Sequence, residues 1–367
     1  MAGPTSATSA QPASGGTART LAEAYRRFGE VVAGTSPLYA RVAVALSESD
    51  RALRALDAAP ARTRHPRVVL AALHDLALAG HAPALAAAYA AGDRDVAAAA
   101  AVDALLRMTD AVVATAARRK VRADESGHHA VLYPAIAEAA RREGAGAVGI
   151  IDVGRSAGLN LYVDRVGISY HNGPVLGDPS SPVQVSATIV GDRPPPTRAV
   201  PEVVARIGID RDPVDVTDAD DARWLRACLW PDQPERIARL EAELAVAATD
   251  PPRLLRGDFL DVLPCALARV PDGALPVVTT TWALSRFPPD RRARFLQRLR
   301  GAAAGRAVAW VSVEGVGVAP AVPTLGDRPA SGHSIIGLAR LGRAVDRVEA
   351  LGRCWSRGRL LAWLAGG

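Results

Sequence analysis

One segment near the middle of the chain restricts its fold more than any other. The apolar run Ala147–Val153 has the length and composition of a buried β-strand, and Gly154 and Gly158 follow it at the start of a predicted helix. Glycines allow a tight strand-to-helix turn and a close approach of a ligand to the backbone. The N-terminus of the helix would then present free N–H groups to an anion. The segment predicts a nucleotide-binding strand–turn–helix unit.

The residues after this unit alternate between short β-rich runs and helical stretches. Such alternation indicates a parallel sheet with crossover helices, so residues 144–367 are predicted to form an α/β domain. Two short runs, Ile168–Tyr170 and Pro182–Val190, predict a hairpin inside an insertion at residues 167–205. The other predicted strands are Arg206–Asp210, Arg253–Arg256, Leu275–Thr281 and Ala307–Val313, and the predicted helices are Asp218–Ala248 and Pro289–Leu299.

The first part of the chain has apolar residues at helical spacing and no alternation typical of strands. Residues 19–143 are therefore predicted to form an all-helical domain, and the 367 residues of the chain are more than one ordinary domain needs. Residues 1–18 are small and polar and predict a disordered tail. The predicted helices begin at Thr20 and Pro37 or span Val68–Leu78, Asp93–Lys120 and Glu125–Glu143, with Pro134 as an alternative start of the last one.

The charge and cysteine content argue against several classes of protein. The net charge is +6, but Lys120 is the one lysine, and the arginines are mixed with Asp and Glu without the aromatic residues that stack on bases. We therefore expect no nucleic-acid partner. Cys228, Cys265 and Cys354 are far apart, which predicts reduced thiols in a cytoplasmic protein. The longest apolar run, Val96–Leu106, is too short to span a bilayer, so we expect no membrane partner.

The order of the motifs in the second half resembles that of class I S-adenosyl-L-methionine (SAM)-dependent methyltransferases. Asp152 followed by Gly154 and Gly158 resembles methyltransferase motif I, whereas Ser156 replaces the middle glycine of the dinucleotide fingerprint GxGxxG. The resemblance implies a Rossmann-like sheet, with SAM as the cofactor and its methionine moiety held by this loop. Asp210, at the end of the next predicted strand, would accept hydrogen bonds from the ribose hydroxyls.

Later strand ends would complete a pocket of this type. The resemblance implies that Asp258 accepts a hydrogen bond from the adenine amino group and that Phe259 packs on the adenine ring. Thr281 and Trp282, at the end of the following strand, would face the transferred methyl group. These loops in this order support a SAM pocket more strongly than motif I alone.

Several positions in these loops keep alternative roles. Arg155 would pair in a fork with the SAM carboxylate, bind an anionic substrate, or point to solvent. Asn160 would contact the cofactor or only brace the turn. Asp212 and Asp215 are alternatives to Asp210 for the ribose contact, because predicted strand bounds are imprecise.

A closer resemblance covers roughly residues 22–364 and points to a bacterial family known as domain of unknown function 2332. The chain departs from the family's usual TNE at residues 123–125, from its GASAGLN at Arg155 and from its HG at Arg357. The family name implies no activity, so this resemblance supports the fold rather than the chemistry. The blocks that carry it are Arg122–Gly127, Gly154–Leu161 with Asp164 and Arg165, Arg206–Asp210 and Trp224–Pro231.

Titratable side chains provide candidates for catalysis. Glu125 and His129 would share one face of a helix, as a general base with its orienting partner, as two metal ligands, or as a solvated ion pair. His128 would point about 100° away from His129, so the two are poorly placed to bind one metal, and no complete metal site is predicted. His171, in the insertion, would line the substrate pocket or only stabilise its loop, and Glu314 is a further candidate acid.

The leading interpretation is a SAM-dependent methyltransferase that acts on a small-molecule substrate, with the helical domain and the insertion covering the site. Two alternatives stay open. The same pocket could serve a reaction other than methyl transfer, although the lack of GxGxxG argues against a nicotinamide cofactor, or it could be the degenerate pocket of a non-catalytic binding protein. The alanine-rich helices would suit a homodimer interface as well as a core.

Overall fold

A computed structural model describes residues 14–122, 128–329, 331–342 and 346–366. Most of the predicted tail therefore lies outside the described residues. Its last part does not, because residues 14–18 belong to the first helix. The candidate Glu125 also lies outside the described residues.

The described residues divide into two compact units. The first contains the residues up to 122 together with 223–237, and the second contains 128–222 and the residues from 238 onward. The predicted boundary at Gly144 differs from this division, because the helix before it groups with the sheet.

The first unit is helical and has its own apolar core, to which Tyr25, Leu46 and Leu73 contribute fully buried side chains. Its helices are α1 (Ser14–Val32), α2 (Pro37–Glu48), α3 (Asp50–Asp57), α4 (Pro66–Leu78), α5 (Pro83–Ala91), α6 (Arg94–Arg107) and α7 (Thr109–Arg118). No single described helix is long and apolar enough to cross a membrane; α4 and α5 pass that test only as a pair, and they meet at a 102° bend.

Capping residues fix where these helices begin. The Ser36 side chain accepts a hydrogen bond from a backbone N–H of α2, and Pro37 occupies the first turn, where an amide donor is not needed. Asp93 caps α6 in the same way. The prediction of one helix over Asp93–Lys120 is wrong, because Met108 has a non-helical backbone between α6 and α7. The break lets α6 pack on α2 and α5 while α7 packs on α4.

Residues 223–237 belong to this unit although they come much later in the sequence. Trp224 is fully buried in an apolar cluster that includes Val68. The Asp232 carboxylate accepts hydrogen bonds from the Ser36 hydroxyl at 2.5 Å and from a backbone N–H of α2 at 3.0 Å. A late segment of the chain thus completes the cap of an early helix, which local sequence patterns do not predict.

The second unit is built on one mixed sheet. Its strands are β1 (Ala147–Val153), β2 (Gly167–Tyr170), β3 (Val175–Gly177), β4 (Gln184–Ile189), β5 (Glu202–Asp210), β6 (Arg253–Arg256), β7 (Leu275–Thr281), β8 (Val308–Gly315), β9 (Ser334–Leu341), β10 (Arg347–Trp355) and β11 (Leu360–Trp363). They lie in the order β3-β2-β4-β11-β10-β9-β8-β7-β1-β5-β6. The helices after residue 128 are α8 (His129–Glu143), α9 (Ala219–Ala227), α10 (Pro234–Thr249), α11 (Phe259–Leu267) and α12 (Pro289–Ala303).

Five parallel strands form one half of this sheet, in the order β6-β5-β1-β7-β8. Numbered along the chain, this is the 3-2-1-4-5 order of doubly wound sheets, with β1 at its centre. Ile151 and Val153 of β1 face an apolar cluster that contains α11 and α12, whereas α8 packs on β7 and β8 outside that cluster. The predicted α/β class is therefore confirmed, and the predicted bounds of β1, β6 and β7 match the structure.

The other half of the sheet departs from the predicted pattern. Strands β8 to β11 form an antiparallel meander, and β9, β10 and β11 were not predicted. The predicted hairpin of Ile168–Tyr170 with Pro182–Val190 is wrong, because β2 pairs antiparallel with β3 and parallel with β4. The Asn172 side chain, in the turn after β2, exchanges two 2.8 Å hydrogen bonds with the backbone of Ile189 and so fixes the parallel pairing.

Prolines explain two differences between predicted and observed helices. The predicted helix Asp218–Ala248 is interrupted between α9 and α10, where Pro231 cannot donate a helical hydrogen bond. Conversely, α8 starts at His129 and continues through Pro134. The carbonyl of Ala130, which Pro134 cannot bond, accepts a hydrogen bond from the Tyr170 hydroxyl instead.

The close packing of β10 on β11 gives a direct test of this topology. A Cβ at Gly352 would lie 2.2 Å from the carbonyl oxygen of Ala362, beside a register shift in β10. We expect Gly352→Ala to lower the free energy of unfolding by about 2 kcal/mol or more, because backbone must move to admit the methyl group. Gly301→Ala, in α12 with open space around it, should raise that free energy by up to about 1 kcal/mol. Equal effects in urea titrations would contradict the β10–β11 pairing.

Candidate functional site

The carboxyl ends of β5, β1 and β7 meet at one edge of the sheet. The chain continues from β1 to β5 on one side and later reaches β7 on the other, so the strand order reverses between β1 and β7. Open α/β sheets bind ligands at such a switch point. Gly154–Asn160 follow β1 there, and Trp282 follows β7. This edge is therefore the candidate site.

Gly154 makes the first turn out of β1. Its φ of +80° lies in the left-handed region that favours glycine, and its N–H donates to the carbonyl of Ile209 at 2.8 Å. A Cβ at this position would lie 2.9 Å from the Cβ of Ala283, in the loop after β7. Glycine is thus required both by the turn and by the close approach of the two loops.

The helix predicted after Gly158 is a short 3₁₀ helix, Leu159–Arg165, of seven residues with an internal kink. Arg206 of β5 holds it in place by donating to the carbonyl of Leu161 at 2.6 Å and pairing with both carboxylate oxygens of Asp164 at 2.7 Å. The segment then leads directly into β2. It therefore does not provide the α-helix N-terminus for an anion that the sequence suggested.

Thr281 gathers two side chains from the loop after β1. Its buried hydroxyl lies 3.2 Å from the donor nitrogens Nε of Arg155 and Nδ2 of Asn160, and its carbonyl accepts from the Arg155 guanidinium at 2.7 Å. Arg155 and Asn160 are each 6% exposed, so Arg155 does not point to solvent. Three of the predicted cofactor-binding residues therefore form one hydrogen-bonded group at the switch point.

Two further predicted residues are buried beside this group. The Asp152 carboxylate accepts a hydrogen bond from the Thr279 hydroxyl at 2.8 Å, which links β1 to β7. The carbonyl of the buried Ser156 accepts from the N–H of Val214 at 2.9 Å. These contacts fix the path of the loop after β1 toward both neighbouring strands.

The ends of β5 and β6 carry Asp210 and Asp258. The Asp210 carboxylate accepts from a backbone N–H two residues later, whereas Asp258 caps α11 and forms 2.5 Å ion pairs with Arg211 and Arg291. Burial alone would raise the pKa of Asp258, but the hydrogen bond from Arg211, a backbone N–H and the charge of Arg291 hold it below its usual range. Phe259 is buried against other aromatic rings of the core.

Trp282 has a φ of +50°, which is rare and strained for a bulky residue. Its backbone N–H donates to the carbonyl of Val313 at 2.9 Å, and its indole N–H donates to the Ser334 hydroxyl at 2.8 Å. The indole ring lies against the imidazole of His128, with 4.8 Å between ring centroids. A strained tryptophan and a buried histidine thus lie together at the end of β7.

Glu314 is fully buried near the end of β8. One of its carboxylate oxygens accepts from the backbone N–H groups of Ala283 and Leu284, at 3.0 Å each. Burial raises the pKa of Glu314 to about 7, although these N–H groups and the charge of Arg155 act in the opposite direction. The candidate acid of the sequence analysis therefore braces the loop after β7, with a carboxyl that titrates near neutral pH.

Of the other candidates for catalysis, His129 contacts the backbone of the loop after β1, whereas His171 lies away from this edge. His129 is buried, with Nε2 3.2 Å from the carbonyl of Leu159 and Nδ1 4.0 Å from the Glu243 carboxylate, and burial lowers its pKa to about 4. His171 is exposed after β2, which runs opposite to β1 and so ends at the other edge of the sheet. Within the described ranges, no three His, Cys, Asp or Glu residues are arranged to hold a metal ion.

Sequence reasoning missed three residues that the structure places here. His128 was considered only for its angle to His129, Arg357 was noted only as a departure from the family's usual HG, and Ser334 was not considered. Arg357 has a φ of +56° and its charge acts on His128. The adjacent histidines were a visible signal, but a positive φ and a contact between distant strand ends depend on tertiary structure.

The group around Thr281 yields one prediction. Thr281→Val keeps the side-chain volume but removes the acceptor shared by Arg155 and Asn160, so it should lower the free energy of unfolding by about 1–3 kcal/mol. Thr188→Val, in β4, is the control, because it removes a hydroxyl that makes no hydrogen bond to a described residue. It should change the free energy of unfolding by less than about 0.5 kcal/mol. Urea titrations that give equal effects would show that the shared acceptor is not important.

The raised pKa of Glu314 yields a second prediction. The pKa of Glu314 in the folded protein is about 7, which exceeds the ordinary 4.5. The contribution of this shift to the free energy of unfolding is therefore fully present below pH 4.5 and is lost as the pH rises through 7. Glu314→Gln cannot ionise. The free energy of unfolding of this variant, minus that of the wild type, should therefore rise by on the order of 3 kcal/mol from pH 4.5 to pH 8. A difference that stays constant with pH would contradict the burial of an ionisable carboxyl.

The sequence also matches a known bacterial family. The family model described as an uncharacterized protein conserved in bacteria, domain of unknown function 2332, matches residues 22–363. No curated protein and no solved structure matches the chain. Because the match covers most of its length, the chain belongs to the bacterial family known as domain of unknown function 2332.

Proposed function

We propose that this protein is a SAM-dependent methyltransferase that acts on a small-molecule substrate. The observation that carries the proposal is the glycine turn after β1, which lies at the switch point of a 3-2-1-4-5 sheet. The bare backbone at Gly154 allows close approach of a ligand there, and a Cβ would meet Ala283. The Rossmann-like methyltransferase type of the fold is part of this proposal.

The residues at the edge fit such a cofactor in part. The turn at Gly154 and the group formed by Arg155, Asn160 and Thr281 would hold the methionine end. Asp210, at the end of the neighbouring strand, carries the carboxylate needed for two vicinal ribose hydroxyls. Asp258 forms ion pairs with Arg211 and Arg291. It would therefore position the loop after β6, on the side of the pocket that would hold the adenine.

Methyl transfer from SAM would require the protein mainly to align the two reactants. Bound SAM would supply an electrophilic methyl group. The chain would hold the nucleophile of the substrate in line with that group and exclude water, which are effects of proximity and orientation. Trp282, positioned by its hydrogen bond to Ser334, would form a wall beside the reacting atoms. A covering role for the helical unit stays a prediction, as do the small-molecule partner and a homodimer.

One observation favours a second candidate function. The seven-residue 3₁₀ helix stands where the proposed pocket would have the N-terminus of an α-helix, and buried Arg155 departs from the usual family sequence at the turn. Both features would suit a pocket that binds a nucleotide-like ligand for a different reaction. Binding measurements with SAM distinguish the two.

Isothermal titration calorimetry with SAM and with S-adenosylhomocysteine tests the proposal. We expect micromolar binding of both by the wild type. Asp210→Ala should weaken binding by roughly tenfold or more, since each lost hydrogen bond from the ribose contributes about 1 kcal/mol. Gly154→Arg should abolish binding, because its side chain would collide with Ala283 and displace the two loops that form the proposed pocket.

A matched control separates binding from folding. Asp192→Ala changes an exposed aspartate outside the site and should bind like the wild type. Thermal melts should show that Asp210→Ala remains folded. Absence of binding by folded wild-type protein would contradict the methyltransferase proposal and leave the second candidate.

A further inference from the structure

His128 has an unusual environment for a buried histidine. It is 1% exposed, and neither ring nitrogen makes a hydrogen bond of normal geometry with a described residue. A buried polar group without a partner costs stability, and such groups in native proteins call for an explanation. A bound ligand that supplies the missing partner is one such explanation.

The other buried histidines differ in this respect. His74 lies with Nδ1 3.2 Å from the carbonyl of Leu229, and His129 lies with Nε2 3.2 Å from the carbonyl of Leu159. His333, which is less buried, has Nε2 2.8 Å from the Asp327 carboxylate and Nδ1 near a carbonyl. Burial alone therefore does not leave an imidazole without partners in this protein.

The surroundings of His128 keep its ring neutral. Burial lowers the pKa of His128 well below its ordinary value, and the charges of Arg155, His129 and Arg357 lower it further, whereas a hydrogen-bonding contact with the Asn160 side chain acts in the opposite direction. A neutral imidazole has one donor and one acceptor nitrogen. Both would be available to a ligand at this point.

The imidazole of His128 also lies near residues whose backbone is strained. Trp282, which contacts it, and Arg357, whose charge acts on it, are both non-glycine residues in the left-handed region. Backbone of this kind persists where the surrounding structure holds it, and it clusters at functional sites. The end of β7, where the proposed methyl group would lie, is therefore flanked by strained residues and by a buried imidazole that lacks hydrogen bonds of normal geometry to described residues.

We propose that His128 is a substrate-contacting residue, whose imidazole, with neither nitrogen in a hydrogen bond of normal geometry to a described residue, is held for the reacting O–H or N–H group of the substrate. This inference rests on the proposed function. The two arginines near the ring would repel a protonated aliphatic amine. The group that reaches His128 is thus a neutral or weakly acidic hydroxyl or ring N–H.

This placement of His128 provides an acceptor for the proton that the substrate loses. As the substrate oxygen or nitrogen forms its bond to the methyl carbon, the bond from that carbon to sulfur breaks and its electron pair stays on sulfur. The substrate proton passes to the unprotonated ring nitrogen of His128 and then to water. A weakly basic imidazole can accept this proton, because bonding to the methyl carbon makes the O–H or N–H group of the substrate strongly acidic.

The test compares apolar variants of the two adjacent, equally buried histidines. His128→Leu keeps roughly the volume, and His128→Phe keeps a ring against Trp282. If the imidazole is kept for a substrate, at least one of them should melt roughly 2–4 °C above the wild type, since an unpaired polar group is removed. His129→Leu and His129→Phe should both melt below the wild type, because the bond to Leu159 is lost. Lower melting of both His128 variants, or failure of both to fold, would overturn the proposal.

A second measurement separates this inference from the proposed function. His128→Leu should bind S-adenosylhomocysteine within about threefold of the wild type, because a substrate contact is not a cofactor contact. A loss of tenfold or more would overturn the assignment. If the wild type itself fails to bind S-adenosylhomocysteine, the methyltransferase proposal fails, while a raised melting temperature in His128→Leu would still mark His128 as a ligand-facing residue.

Discussion

The pairing of β1 with a parallel strand on each side is the constraint on which the rest of the second unit depends. With β5 on one side and β7 on the other, every residue of β1 after the first is buried. The chain must then leave β1 at an edge where the loops after its two neighbours also end. Gly154 makes this possible, because its turn bonds to the end of β5 and packs on the loop after β7.

The same crowding explains the character of the candidate site. Several polar side chains at this edge are buried, so each of them needs a partner. Arg155 and Asn160 find one in Thr281, and Glu314 finds two in backbone N–H groups of the loop after β7. Neither ring nitrogen of His128 makes a hydrogen bond of normal geometry to a described residue, and this contrast is the basis for our inference that His128 faces a ligand whereas the other residues hold the loops.

The parallel half of the sheet could be predicted from sequence, and the antiparallel half could not. Strands β1, β6 and β7 are short apolar runs bounded by glycine, proline or charge, so their ends are local signals. Strands β9 to β11 form a meander whose pairing depends on contacts between distant segments, and β11 lies next to β4 from much earlier in the chain. The loops of the candidate site could be predicted, because glycines and acidic residues directly follow the predicted strands. The partners of His128, Asp258 and Phe259 were not, because they arise only when strand ends meet.

Hydrogen–deuterium exchange with and without S-adenosylhomocysteine tests the central claim most directly, because it reports where a ligand binds. A ligand at the switch point should slow exchange in the loops that begin at Gly154, Asp210 and Thr281, and leave β2 and β3 unchanged. No protection at saturating ligand, or protection confined to segments away from these three loops, would contradict the assignment of this edge as a SAM site.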